Sequence, residues 1–250
     1  MRKPVRYIAD HLRQVLKNGA SAPHTAEVEW FFKNVITSRG WYTPELRKLA
    51  RRFTKIIKGD QGLDYLVAVA NDLFRGNVLE EKVLAVLLLE TSTKEFTAAH
   101  FQLFESWLKR VSTWADHDAL AGYLLGPMIV LDRKRTAAVL HWAKSKDRWR
   151  RRAAAVSLIR GVRLGLFERE AVRVTNLLRA DEDDMVRKGL GWLLRESAKY
   201  NRAFTLAFLL RSRDKLPRLV LRTACETLPA ADKARILKPS ASIPQNFRNR

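Results

Sequence analysis

The sequence contains a single cysteine, Cys225, and no apolar run long enough to cross a lipid bilayer. One cysteine excludes an internal disulfide framework and favours a reducing compartment, so we expect the protein in the cytoplasm. The best apolar candidate, residues 83–90, falls short of the roughly 18 to 20 residues that a membrane-spanning helix needs, and it stops at a glutamate. Residues 1–16 alternate charged and apolar side chains, so we expect no secretory signal.

The motifs of several enzyme classes are also missing. There is no G-x-x-x-x-G-K-[ST] phosphate loop, no G-x-G-x-x-G dinucleotide fingerprint, no G-x-S-x-G nucleophile elbow and no H-E-x-x-H zinc motif. The histidines are scattered, and the Asp-His-Asp triplet at residues 116–118 has no evident second set of ligands. Cys225 falls at a predicted buried position, where it acts as a small hydrophobe. We therefore expect neither a metal ion nor a cofactor.

Acidic residues are scarce relative to basic ones. The chain has 47 Lys and Arg against 26 Asp and Glu, a net charge of +21 and an isoelectric point of about 10.6. Such a surplus repels itself in a compact chain, and a polyanion such as nucleic acid offsets that repulsion. The densest basic stretch, residues 144–163, includes Arg148 and Arg151, which we expect to contact phosphates. The alternatives are a solvated surface that aids solubility and an anionic membrane surface.

What the chain has in abundance is apolar residues at helical spacing, with no convincing strand pattern. The predicted helices span residues 4–17, 25–38, 44–58, 62–74, 79–90, 95–110, 115–125, 131–143, 148–161, 168–179, 183–198, 202–212 and 216–228. Leu-Gly-Pro at 125–127 is predicted to stop a helix, and Asp147 and Asp181 stand where N-caps are expected.

The spacing of these helices predicts the architecture. From residue 80 onward, helical pairs recur about every 35 to 40 residues, a spacing typical of HEAT or armadillo repeats. We therefore predict an all-α solenoid, a superhelix of antiparallel HEAT-like pairs with a basic concave face that can follow a duplex. A plain helical bundle is the alternative. Residues 1–237 are predicted to form a single domain, and residues 238–250 a flexible basic tail.

Trp114 and Asp118 form the first candidate site. They are four residues apart, so a helix places them on one stripe, about a turn from each other. A carboxylate beside an indole face suits a cationic group, because the ring offers cation–π attraction and the carboxylate offers charge. In the alternative interpretation, Trp114 is a core residue or a hydrophobic staple and Asp118 is a surface acid.

Two further residues depart from the helical pattern. Arg152 falls within the apolar stripe of its helix, so it either extends its charge to solvent, pairs with a buried acid or points into a wet groove. Trp192 points away from its apolar stripe, onto a side with Lys188 and Arg195. Displayed indoles on basic helices are common where proteins touch nucleic acid or sugar. A cover provided by a neighbouring helical pair is the alternative.

Taken together, these positions resemble a known family. The order is W-x-x-x-D at Trp114, W-x-x-R at Trp149 and G-W-x-x-R-E at Gly191. It is similar to that of the bacterial AlkD-type alkylpurine DNA glycosylases. The segment "RKGLGWLLRESAKYNR", residues 187–202, carries the closest local resemblance, and "FFKNVITSRGWYTPELRKL", residues 31–49, a weaker one. The resemblance extends over most of residues 25–230, and its specificity comes from the co-occurrence of short motifs.

The resemblance implies a right-handed stack of HEAT-like repeats that binds duplex DNA. It implies hydrolysis of the N-glycosidic bond of N3- and N7-alkylated purines, without moving the lesion into a base pocket, to leave an abasic site. By the same resemblance Asp118 is the catalytic carboxylate, and Trp114 and Trp192 pack against the deoxyribose and backbone of the lesion. Arg152 then faces the DNA, and Lys188 and Arg195 are phosphate contacts.

The weaker N-terminal resemblance also includes departures. Phe31 stands where the family often carries a tyrosine near the DNA, and Tyr42 stands where better-known members have a polar amide. Both are retained as DNA-facing candidates, with lesion preference and rate in doubt. The expected partner is double-stranded DNA with alkylated purines, bound by a cytoplasmic bacterial monomer at the nucleoid. A non-catalytic solenoid that binds damaged or branched DNA is the alternative, and a protein-binding HEAT scaffold is a third hypothesis.

The charge predicts a steep salt dependence of DNA binding. Each phosphate that is neutralised releases counterions, so the logarithm of affinity should fall linearly with the logarithm of salt concentration, with a slope of several phosphate contacts, about −0.9 for each contact. Titration of a fluorescent duplex at several salt concentrations measures this slope. A nearly flat dependence would remove the nucleic-acid interpretation.

Overall fold

The computed structural model describes residues 3–238 and confirms the predicted all-α class. Those residues contain no β-strand, only an isolated bridge between Thr37 and Val78. No helix among them combines the length and apolar character needed to span a bilayer. The predicted tail, apart from Lys238, lies outside the described residues. The chain divides into two compact units between Arg135 and Thr136, so a single domain over residues 1–237 and its HEAT-like repeats stay predictions.

Eight α-helices are described in each unit. Those of the first unit are α1 (Val5–Asn18), α2 (Ala22–Phe31), α3 (Thr43–Gln61), α4 (Leu63–Leu73), α5 (Leu79–Leu89), α6 (Ala98–Trp107), α7 (Trp114–Leu120) and α8 (Gly126–Leu131). Those of the second unit are α9 (Thr136–Trp142), α10 (Arg148–Val156), α11 (Ile159–Val162), α12 (Glu168–Leu178), α13 (Asp184–Tyr200), α14 (Arg202–Ser212), α15 (Arg218–Ala224) and α16 (Ala230–Leu237). The apolar pattern did not predict α16.

Helices α7 and α8 form one helical run, joined by a π-turn at Ala121–Leu125. Pro127 has no N–H, and its ring clashes with the carbonyl four residues earlier, so a regular α-turn is disfavoured there. The turn widens instead, and the Gly126 N–H donates to the carbonyl of Ala121, five residues back. The prediction that Leu-Gly-Pro stops the helix is therefore wrong, because the proline lies in the first turn of α8.

Helix α13 is central to the second unit, where it packs against α10 and α15. The stripe predicted from its sequence, including Val186, Leu190 and Leu193, is buried. A Cβ atom added at Gly191 would lie only 2.5 Å from Cβ of Thr223 on α15, so a glycine is required where these two helices approach.

The two predicted N-caps have different outcomes. Asp147 caps α10 as expected, accepting from the Arg150 N–H at 2.9 Å. The cap of α13 is Asp183, which accepts from the Met185 N–H at 2.8 Å. The assignment to Asp181 is wrong because that carboxylate lies outside the helix and accepts from the N–H of Asp183 at 3.0 Å.

Helix α5 packs against α3, α4 and α7 in the first unit, and its buried Glu80 anchors the chain that precedes α3. The Glu80 carboxylate accepts from the Ser38 hydroxyl at 2.6 Å and from the N–H groups of Arg39 at 2.8 Å and Gly40 at 3.0 Å. A carboxylate can satisfy several donors at once, which suits a segment with no regular backbone partners.

Glu80→Ala should lower the free energy of unfolding by roughly 3 kcal/mol or more, because several buried donors lose a charged acceptor. Urea denaturation followed by circular dichroism measures the change. The control is Glu182→Ala, which removes the same charge from an exposed side chain. Equal stability of the two variants would contradict the anchoring role.

Candidate functional site

The start of α7 determines where Trp114 and Asp118 lie. Thr113 is the N-cap, and its hydroxyl accepts from the Ala115 N–H at 3.3 Å. Asp116 completes a capping box by accepting from the Thr113 N–H at 2.7 Å. The helix therefore begins at Trp114, and Asp118 follows one turn later.

Asp116 is also half of a buried ion pair. Its Oδ2 lies 3.3 Å from Nζ of Lys82 on α5, and both side chains are almost fully buried. The Lys82 ammonium also donates to the Ser112 hydroxyl at 2.6 Å and to the carbonyl of Arg110. Asp116 thus links the start of α7 to α5. Within residues 3–238 no group of three or more His, Cys, Asp or Glu side chains is arranged to hold a metal ion.

Trp114 lies at the surface, with 39% of its area exposed. Its ring centroid is 5.4 Å from that of Phe32 and 6.2 Å from that of Phe31, which it meets edge-on. Phe31 is itself 62% exposed. The structure therefore brings together two residues from distant segments that were predicted separately to face DNA. The alternative that Trp114 belongs to the core is wrong.

The Asp118 side chain is partly exposed, at 17%, one turn beyond Trp114. Its Oδ1 lies 2.7 Å from Nδ1 of the preceding residue, His117, whose side chain is fully buried. Sequence reasoning missed His117 because it considered histidines only as metal ligands. No spacing rule signalled its contact with Asp118, because adjacent side chains on a helix do not normally face each other.

The aromatic surface beside Trp114 belongs to α2, a helix without a buried residue. The helix ends at Phe31, earlier than the predicted residue 38, because Lys33 and Asn34 adopt left-handed backbone angles with φ of 54° and 57°. Trp30, which sequence reasoning did not select, is 79% exposed. An open groove of about 580 Å³ here is lined by His24, Ala26, Glu27, Val28, Trp30, Phe31 and Phe32.

Tyr42 lies next to this helix. It is exposed, and its ring stacks on that of His24 at a centroid distance of 4.0 Å and an interplanar angle of 13°. The stack leaves the tyrosine on the surface of the first unit. Its contact with DNA stays a prediction.

In the second unit, Arg152 is buried beside α13, with 5% of its area exposed. Its Nη1 donates to the carbonyl of Met185. A Cβ atom at Gly189 would lie 3.1 Å from Cγ of Arg152, so the missing side chain at that position makes room for the arginine. A contact between Arg152 and DNA stays a prediction.

Trp192 is half-buried on α13, and Lys188, one turn earlier, is exposed. Arg195 is tied to acids on both sides. It pairs with Glu226 on one side and lies 3.5 Å from Glu196 on the other. Of the two basic residues, Lys188 has the charge that is more accessible to solvent.

Glu196 forms ion pairs with basic side chains on this face of α13. Burial alone would raise the pKa of its carboxyl, but Arg163 at 2.9 Å and Lys199 at 3.0 Å outweigh that effect and hold the pKa below its usual range. The carboxylate is therefore ionised at neutral pH and orders the basic side chains around it.

Arg148 and Arg151 lie in the first turns of α10 and differ in how far other groups of the protein already engage their guanidinium groups. Arg148 is exposed over the ring of Trp149 at 4.7 Å and lies 3.6 Å from Asp183. Arg151 pairs with Asp181 at 2.5 Å and donates to the carbonyls at residues 145 and 146. Arg148 is thus the better placed of the two for a phosphate, although both contacts stay predictions.

Asp116→Asn should lower the free energy of unfolding by about 3 to 5 kcal/mol, since it leaves the buried Lys82 ammonium without its counter-charge. Asp60→Asn makes the same chemical change on an exposed side chain of α3 and serves as the control. Chemical denaturation of both variants measures the difference. A loss below about 1 kcal/mol for Asp116→Asn would show that the pair does not hold α7 in place.

Comparison with solved structures identifies related folds. A protein from Enterococcus faecalis, described as a predicted DNA alkylation repair enzyme, superposes with a TM-score of 0.76 at 16% identity, covering 84% of this chain and 97% of its own. A protein from Streptococcus mutans has a TM-score of 0.53 at 18% identity, with coverage of 74% and 100%. At these identities the similarity demonstrates the fold alone.

Comparison of the sequence is more informative about the family. No curated protein matches this chain significantly. The family model for DNA alkylation repair enzymes matches residues 12–228, which is most of the chain and includes every candidate site residue. The chain belongs to the DNA alkylation repair enzyme family.

Proposed function

We propose that this protein is a monofunctional DNA glycosylase that hydrolyses the N-glycosidic bond of N3- and N7-alkylated purines in duplex DNA. The observation that carries the proposal is the pair on α7, where an exposed indole at Trp114 lies one helical turn from the carboxylate of Asp118. Membership of a DNA alkylation repair family and a net charge of +21 support damaged DNA as the partner of this pair.

The chemistry of the lesion suits these two groups. Alkylation at N3 or N7 leaves the purine cationic, so the base is already a good leaving group and needs little acid assistance. As the glycosidic bond breaks, the bonding electrons leave with the base and the deoxyribose becomes an oxocarbenium ion. The face of the Trp114 ring and the Asp118 carboxylate stabilise that positive charge, and the carboxylate orients the attacking water.

Water rather than an amine is the proposed nucleophile, so the product is an intact strand with an abasic site. A lysine nucleophile would instead form a Schiff base and cleave the strand by β-elimination. The surface position of Trp114 supports a reaction in which the base is not flipped, because the exposed ring can meet the sugar at the edge of the duplex.

Asp118→Asn should slow release of N7-methylguanine and N3-methyladenine from methylated duplex by about 100-fold, because the neutral amide cannot stabilise the sugar cation. Single-turnover release followed by chromatography of the free bases measures the rate. Asp60→Asn, which makes the same substitution at an exposed site on α3, should match the wild type.

Three outcomes would count against this proposal. Equal rates for Asp118→Asn and wild type would remove the carboxylate from the mechanism. Strand cleavage without alkali would contradict a monofunctional enzyme. Tight binding of damaged duplex by a wild type that releases neither base would favour the non-catalytic DNA-binding alternative.

Trp192→Ala should slow base release by about tenfold, since cation–π stabilisation of a desolvated cation contributes on the order of 1 to 2 kcal/mol. Leu177→Ala removes an exposed apolar side chain from α12 in the same unit and is the control. Base-release rates for the two variants are measured under identical single-turnover conditions. If the rate of Trp192→Ala equals that of the control, the indole has no part in the reaction.

A further inference from the structure

His117 is a fully buried residue that contacts the proposed catalytic carboxylate, Asp118. Its Nδ1 lies 2.7 Å from Oδ1 of Asp118, a short distance for a nitrogen–oxygen hydrogen bond. Adjacent residues on a helix point about 100° apart, so their side chains do not normally face each other. In this helix the buried ring of His117 and the partly exposed carboxylate of Asp118 are nevertheless in contact.

We infer that His117 is a positioning residue, which holds the Asp118 carboxylate in the orientation that the reaction needs. This inference rests on the proposed function, because it assigns a role within the same site. His117 acts through Asp118 and does not itself touch the substrate.

The direction of the hydrogen bond follows from the chemistry of the partners. An ionised carboxylate has no hydrogen to donate, so Nδ1 of His117 carries the hydrogen and donates to Oδ1 of Asp118. This holds for the neutral ring with its hydrogen on Nδ1 and for the protonated ring alike.

Packing holds the His117 ring in one position. It is fully buried in the first turns of α7, which pack against α5. The residue before it, Asp116, is tied to Lys82 of α5 by the buried ion pair. A side chain packed in this way has few alternative rotamers, so its Nδ1 hydrogen occupies one position.

The Asp118 side chain is partly exposed, at 17%. A hydrogen bond from a fixed ring favours one orientation of this carboxylate before substrate arrives. Preorganisation of this kind matters because an error of about 1 Å in the place of a reacting group can cost on the order of 100-fold in rate.

The test compares His117→Asn with His117→Gln. The amide nitrogen of asparagine reaches the position of the imidazole Nδ1, whereas that of glutamine reaches the position of Nε2. Both variants keep an amide donor and remove the ring, so they differ mainly in where the donor lies. Single-turnover base release and duplex affinity are measured for both, and thermal unfolding defines a temperature at which each is folded.

The expected result is a rate for His117→Gln that is about 10- to 100-fold below that of wild type, with affinity for methylated duplex unchanged within about twofold. His117→Asn should recover most of the lost rate. In an Asp118→Asn background the two variants should have equal rates, because the group that they position is gone. Equal rates of His117→Asn and His117→Gln in protein that keeps the native Asp118 would overturn the inference.

A second measurement does not depend on the fold of any His117 variant or on activity. In wild type the hydrogen on Nδ1 of His117 should give a downfield proton resonance in a nitrogen-15-labelled sample, and Asp118→Asn should shift it. An unchanged or absent resonance would show that the hydrogen bond is missing, which also overturns the inference. If the resonance shifts as expected while wild type releases no base, the proposed function has failed and the positioning role fails with it.

Discussion

The buried ion pair between Lys82 and Asp116 is the constraint on which the proposed reaction site depends. Removing two charges from water is costly, and such a pair is tolerated only where hydrogen bonds satisfy the rest of both groups. Asp116 meets this requirement by accepting from the N–H groups of Ser112 and Thr113, at 2.8 and 2.7 Å. One carboxylate thus links α5 to the first turn of α7. The place of Asp118, one turn after Trp114, follows from the fixed start of that helix.

In the second unit, glycines determine how closely the helices pack. Helix α13 lies between α10 and α15, and Gly189 and Gly191 allow close approach on its two sides. At Gly189 the space is used by the side chain of Arg152, whereas at Gly191 it is used by Thr223 of α15. Two glycines within one turn therefore let α13 pack closely against both of its neighbours.

The large positive charge is unevenly available for binding. Several arginines are engaged by ion pairs within the fold, as Arg151 is by Asp181 and Arg195 is by Glu226. Lys188 and Arg148 are exposed and better suited to phosphates. A count of basic residues therefore indicates the class of partner but overstates the number of phosphate contacts. The acids that pair with Arg151 and Arg195 lie about 30 residues away in sequence, so the local charge of each helix does not reveal them.

The sequence by itself determined what depends on neighbours within one or two turns. Helical periodicity was enough for the all-α class, and a spacing of four residues was enough to place Trp114 and Asp118 on one face. Only the tertiary structure decided which of these groups is buried and what it touches. The burial of Arg152, the exposure of α2 and the burial of the His117 ring depend on packing between distant segments. The local pattern carries no record of such packing, because the segments that cover a side chain, or leave it open, lie beyond the range that periodicity reports.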